Sequence, residues 1–130
     1  MIGISAKNIS KKYNPEAKTI LNNLSFELKA GDKVGILGPN GAGKTTLISI
    51  ICGILEANNG EVNYLVDKNN ISYEEFKNVL GFVPQELALY QELTPIQNLN
   101  YFGAMYNMPK TEIKEKSIDI LDILGLLKVK

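Results

Sequence analysis

The 130-residue chain has no histidine and only one cysteine, Cys52. Without an imidazole there is no Ser-His or Cys-His nucleophile arrangement, and a lone thiol cannot assemble a zinc site. Nor can Cys52 close an internal disulfide; set among Leu47, Ile48, Ile50, Ile51, Ile54 and Leu55, it reads as a small buried core residue, which fits a cytoplasmic protein. Charge of neither sign is in excess, since 14 basic residues face 14 acidic ones with no block of lysines. That balance excludes the electrostatic footprint of a nucleic-acid or anionic-membrane binder. Long apolar runs are also missing. The longest, "LISIICGIL" at 47–55, is too short to span a bilayer, and "MIGISAKNISKKY" lacks the apolar centre of a signal peptide. Any attachment to a membrane has to come through a partner.

What is present is a globular composition, 45% hydrophobic and 22% charged, enough for one core. Ile2, Ile4 and Ile9, then Leu24, Phe26 and Leu28, predict two half-buried antiparallel strands separated by the "YNPEAK" turn. Lys33 to Leu37, "KVGIL", is expected to be a short buried strand of the parallel-sheet type. Thr45 to Cys52 predicts a buried helix ending at Gly53, and Glu61 to Val66 a strand after an Asn-Gly turn. Ser72 and Glu75 form a capping box for a short helix, "VLGFVPQ" reads as strand, and Thr94 with Gln97 forms a second capping box. The helix that this second box starts should run to about Tyr106. A last helix, from near Lys110 to Leu124, should bury Ile113, Ser117, Ile120, Leu121 and Leu124 and stop at Gly125.

One stretch carries chemistry. Gly38-Pro39-Asn40-Gly41-Ala42-Gly43-Lys44-Thr45, followed by Thr46, satisfies the spacing G-x-x-x-x-G-K-[ST] between an apolar segment and a helix. Backbone N–H groups can turn inward around dense negative charge only where side chains leave room and φ can be positive, which glycines at 38, 41 and 43 permit. A helix starting at Lys44 adds amides and the positive end of its dipole; Lys44 can reach the β and γ phosphates, Thr45 can give its hydroxyl to Mg²⁺, and Thr46 can touch the α phosphate. A dinucleotide fingerprint, G-x-G-x-x-G, does not call for the Lys-Thr pair. The ligand indicated is a nucleoside triphosphate.

With "GPNGAGKTT" in place, the sequence resembles the ATP-binding cassette (ABC) ATPases along its whole length, most like those serving bacterial multidrug or polysaccharide-type exporters. The resemblance implies an α/β P-loop core with an antiparallel β part (1–32), the core through the Q-loop (33–92) and the start of a helical subdomain (93–130). It makes Tyr13 the aromatic that stacks on adenine, although an ordinary strand-end tyrosine would look the same. It makes Gln85, in "GFVPQELALYQELTPIQNL", the glutamine that contacts Mg²⁺ and the attacking water, where a polar strand-end residue is the alternative. Leu99, Phe102 and Met105 read as packing residues, and 86–93 as the stretch where the family receives a helix from its membrane subunit. The implied cofactors are ATP and Mg²⁺; the implied partners are a transmembrane permease and a second ATPase domain, in a homodimer or pseudo-dimer, with no nucleic acid. The implied place is cytoplasmic, peripheral to the inner face of the membrane.

Asp67, in "NYLVDK", is followed by Lys68 and precedes Gln85, so it reads as a turn residue and not as the family's second acidic motif; Asp119 and Asp122 fall on the wet face of their helix. The serine-glycine-glycine signature, the Asp-Glu strand and the switch histidine do not occur within the 130 residues. Taken alone, these residues are therefore expected to bind nucleotide without appreciable hydrolysis, and to leave a sheet edge unpaired and apolar surface exposed. Two other readings compete: a nucleotide-binding remnant or regulatory module without turnover, and a non-transport ABC ATPase acting on ribosome or DNA.

Overall fold

The computed structural model describes residues 2–67, 69–86 and 88–127. The chain forms two compact units, Met1–Phe82 and Val83–Lys130. In the first, β1 (Ile2–Lys11), β2 (Leu21–Leu28), β3 (Asn59–Val66) and β4 (Asn69–Ile71) make a sheet in the order β2-β1-β3-β4, with every pairing antiparallel. Helix α1 (Lys44–Ile51) closes the apolar face, and Ala6, Ile9, Leu21, Leu47 and Ile50 form the core between them.

Strict alternation cannot place Ala6 and Ile9, three residues apart, on one face. A bulge in β1 does so. Asn8 takes the left-handed conformation at φ 54, its N–H donates to Ser25 Oγ at 2.8 Å, and the register with both neighbouring strands shifts there. Ile9 is then turned fully inward, at 0% exposure. Two phenols satisfy carbonyls at the C-terminus of α1: Tyr64 donates to Ile51 O and Tyr73 to Cys52 O, each at 2.9 Å. The Tyr64 ring also stacks on Phe76, 4.1 Å between centroids, which docks the short helix α2 (Tyr73–Phe76) beneath β3. Cys52 is buried, and burial pushes its thiol above the ordinary value, so it stays protonated and unreactive at neutral pH.

The second unit is a helical hairpin of α3 (Pro95–Met105) and α4 (Lys110–Ile123). A Cβ on Gly103 of α3 would lie 2.8 Å from Ile113 Cγ1, so the glycine sets how closely the helices approach. The loop ahead of α3 is held by buried Asn98: its carboxamide oxygen accepts from Tyr90 N–H, and its amide group donates to Tyr90 O, both at 2.9 Å, and to Leu93 O and Thr94 O. Asn98→Ala is expected to cost about 1–3 kcal/mol, the range for stranding buried polar groups. Chemical denaturation reads the loss, and amide exchange at Tyr90 should accelerate; an unchanged Tyr90 amide would show that the loop does not depend on this clamp.

Both capping boxes are present. Ser72 Oγ accepts from Glu75 N–H and Thr94 Oγ1 from Gln97 N–H, with the return bonds made and Pro95 at the first turn of α3. The backbone N–H and hydroxyl of Ser72 hold the Glu75 carboxyl below its usual range. Asp67 is a turn residue at φ 48, and Asp119 and Asp122 are exposed, as expected.

Several expectations are corrected, the Asn-Gly turn among them, since Asn59 and Gly60 are the first residues of β3. Lys33–Leu37 is irregular rather than a strand, and so is 79–85. A strand is defined by its neighbours, and among the described residues neither segment has a ladder partner; Val34 is 62% exposed, Leu37 95% and Val83 91%. The exposed apolar surface anticipated from sequence is therefore present at both segments. Helix α1 is buried on one side only, through Thr46, Leu47 and Ile50, while Ile48 faces outward. In α4, Ile113, Ser117 and Leu121 are buried at i, i+4, i+8, but Ile120 and Leu124 are exposed because α4 meets one neighbouring helix and buries one narrow stripe. Of the three residues read as packing in α3, Leu99 and Phe102 are half-buried whereas Met105 is 62% exposed.

Candidate nucleotide site

The glycine loop runs from the irregular segment 33–37 into α1. Gly41 and Gly43 have φ 80 and 89, conformations that favour glycine, and Ala42 N–H closes a turn onto Pro39 O at 3.2 Å. Gly43 is the N-cap of α1. A Cβ there would meet Ile20 Cγ2 at 2.7 Å and Leu21 Cδ2 at 3.0 Å, so the loop sits directly on the start of β2. No side chain caps the helix, its first turn carries no acid, and the helical ladder begins with Leu47 N–H to Gly43 O. The amides of Lys44, Thr45 and Thr46 lie ahead of that bond, at the positive end of the dipole.

Lys44 folds back over its own loop, and its ammonium donates to Gly38 O and to Pro39 O, each at 2.7 Å. The charge is thus held inside the turn formed by Gly38–Gly43. Thr45 is exposed, whereas Thr46 is buried and its hydroxyl lies 3.0 Å from the phenol of Tyr13.

Tyr13 reaches Thr46 from the loop after β1. Ile20 N–H donates to Lys11 O at 2.8 Å, Lys12 N–H to Asn58 Oδ1 at 2.6 Å, and the Lys11 ammonium to Glu56 O at 2.6 Å. These bonds tie the loop to the β1, β2 and β3 ends. Beside Tyr13 opens a cleft of about 480 Å³ bordered by Lys12, Thr19, Asn22, Asn58 and Asn59. Asn58 is the residue that sequence reasoning missed here; the expected Asn-Gly turn is absent, since Asn59 and Gly60 are the first residues of β3, and the asparagine before them anchors the Tyr13 loop from 46 positions away. Of the residues singled out from sequence, Tyr13 and Gly38 to Thr46 come together in the first unit. Gln85 lies exposed on an irregular stretch of the second unit.

A family profile described as ABC transporter matches residues 21–130. The chain belongs to this family. Its class is therefore the α/β P-loop fold of the ABC ATPases, a family of ATP-binding and ATP-hydrolysing proteins. Over 126 residues it is 40% identical to the linearmycin resistance ATP-binding protein LnrL of Bacillus subtilis, covering 95% of this chain and 39% of that one. It is 33% identical to the probable multidrug ABC transporter ATP-binding protein YbhF of Escherichia coli, covering 97% and 22%. A solved structure of an ATP-binding subunit of an ABC transporter superposes with a TM-score of 0.77 at 25% identity, over 97% of this chain and 52% of that subunit. This ABC chain thus spans less than half of either curated relative. Among the described residues no helix is long and apolar enough to cross a membrane.

Proposed function

We propose that this segment is the ATP-holding part of an ABC ATPase that, as a full-length protein, hydrolyses Mg-ATP to drive a transmembrane permease. The observation that carries the reading is the position of the Lys44 ammonium, 2.7 Å from two carbonyls of a loop whose glycines adopt positive φ, at the uncapped start of α1. A triphosphate brings oxygens that compete for the same ammonium and accept from the amides of Lys44, Thr45 and Thr46. The donor set also fits Mg²⁺, a hard cation that takes oxygen ligands and keeps several waters. Thr45, exposed at the start of α1, offers it a hydroxyl. When bound, the ion would neutralise charge developing between the β and γ phosphates. The protein's own contribution is to hold the phosphates by Lys44 and the loop amides, and the base on the ring of Tyr13.

The permease partner is supported by the name of YbhF, a probable multidrug ABC transporter ATP-binding protein, and by the second unit itself. There, Leu89 is 59% exposed and Tyr90 46%, beside an apolar cleft of about 540 Å³ that includes Leu93, Phe102, Leu121 and Leu124. A permease seated there places the ATPase at the cytoplasmic face of the membrane, and the family resemblance supports pairing with a second ATPase domain. Calorimetry with Mg-ATP tests the reading, and absence of binding by a folded protein would end it. Base choice should be loose, because an aromatic face stacks on any base for roughly 1–3 kcal/mol. GTP is therefore expected to displace ATP with an affinity within about tenfold, a difference of 1.4 kcal/mol; competition binding reads this, and strict exclusion of GTP would mean that the cleft beside Tyr13 reads the base edge.

A further inference from the structure

Tyr13 is presented unusually for a surface tyrosine. Such a side chain ordinarily lays its ring on the protein and leaves its hydroxyl in water. Tyr13 is 60% exposed, yet its hydroxyl is the anchored end, 3.0 Å from Oγ1 of Thr46, which is itself only 8% exposed. The partner is equally telling, since Thr46 stands in the first turn of α1, next to Lys44 and Thr45. The contact joins a loop after β1 to the phosphate-facing end of the helix across 33 residues of sequence. The base of that loop is fixed independently, by Ile20 N–H to Lys11 O and Lys12 N–H to Asn58 Oδ1. The hydroxyl contact is therefore not needed to hold the loop in place.

A hydroxyl has one proton and two acceptor positions. If the Tyr13 phenol donates to Thr46 Oγ1, the threonine keeps its own proton for a phosphate oxygen, and a hydrogen bond received at an oxygen strengthens the one given from it. We propose that Tyr13 is a positioning residue for the triphosphate as well as a platform for the base: through its O–H it orients the Thr46 hydroxyl toward the phosphates. This rests on the nucleotide reading above. Base platform and phosphate cradle then act as one unit, and a tyrosine at position 13 differs from a phenylalanine in binding phosphate, where the ring has no part.

The test is affinity for Mg-ATP and for inorganic tripolyphosphate, which has no base, in the full-length protein and its Tyr13→Phe variant. The variant keeps the stacking face. Loss of one hydrogen bond is expected to weaken both ligands by roughly three- to tenfold. In a Thr46→Val background, which removes the relay from the other side without changing shape, Tyr13→Phe should have no further effect; in Thr46→Ser, which keeps a hydroxyl, the loss should return. Thermal melts confirm that the variants are folded. Equal binding of both ligands by wild type and Tyr13→Phe overturns the proposal, as does a loss confined to ATP, which would place the hydroxyl on the base, or full additivity with Thr46→Val. Lys44→Ala separates the two levels: if it weakens ATP binding while Tyr13→Phe does not, only the positioning role fails, and if it changes nothing, the nucleotide reading fails with it.

Discussion

Lys44→Ala is expected to weaken Mg-ATP binding by at least about tenfold while leaving the fold intact, because a hydrogen bond to a charged group contributes about 1.5–3 kcal/mol. The lysine is half-buried and packs into no core cluster. Its two bonds, at 2.7 Å to Gly38 O and to Pro39 O, lie within an exposed loop whose carbonyls water can satisfy once the ammonium is gone. Removal therefore costs ligand affinity far more than stability. Lys44→Arg should not rescue binding fully, since a planar fork does not fit where a compact ammonium sits between two carbonyls. Calorimetry on folded variants decides the matter, and ATP affinity unaltered by Lys44→Ala would remove the phosphate-cradle assignment.

The turn and helix start of the glycine loop were legible because their information is local: spacing, glycine content and a Lys-Thr pair specify them within nine residues. The two capping boxes were legible for the same reason, as each closes over three residues. Features that depend on distant partners were not. Nothing near Lys33–Leu37 says whether a ladder partner lies alongside, and the apolar run that reads as a buried strand is irregular and exposed. Asn98 reads as one more polar residue in α3 until its four bonds to residues 90–94 are seen. The Tyr13–Thr46 contact has no sequence signal either. An aromatic at position 13 suggests a stacking face, but only the fold shows where its hydroxyl goes.

Gly60→Ala should be the most damaging single methyl added to the first unit. Gly60 lies in β3 opposite the β1 bulge, between the paired positions Glu61, facing Lys7, and Asn59, facing Ser10. Its φ is 90, and a Cβ would stand 2.4 Å from Lys7 O and 2.5 Å from Asn8 O. Those oxygens belong to the backbone of a central strand, so no side chain can swing away to make room. A non-glycine residue in the left-handed region costs about 1–2 kcal/mol, and forcing apart a packed strand pair adds roughly 1–3 kcal/mol. Gly31 provides the control. It has nearly the same φ, 88, but nothing lies within 4 Å of its added Cβ, so Gly31→Ala carries the conformational cost alone. Against a total stability of about 5–15 kcal/mol, Gly60→Ala should lower the melting temperature by about 10 °C or more and Gly31→Ala by only a few degrees. The damage should also reach the nucleotide, since Asn58, two residues before Gly60, holds Lys12 N–H and with it the Tyr13 loop. At a temperature where both variants remain folded, Gly60→Ala is thus expected to bind Mg-ATP more weakly than Gly31→Ala. Equal melting temperatures for the two would mean that the strands part without cost at the bulge, and that the close approach of Gly60 to the β1 carbonyls does not hold β3 in register.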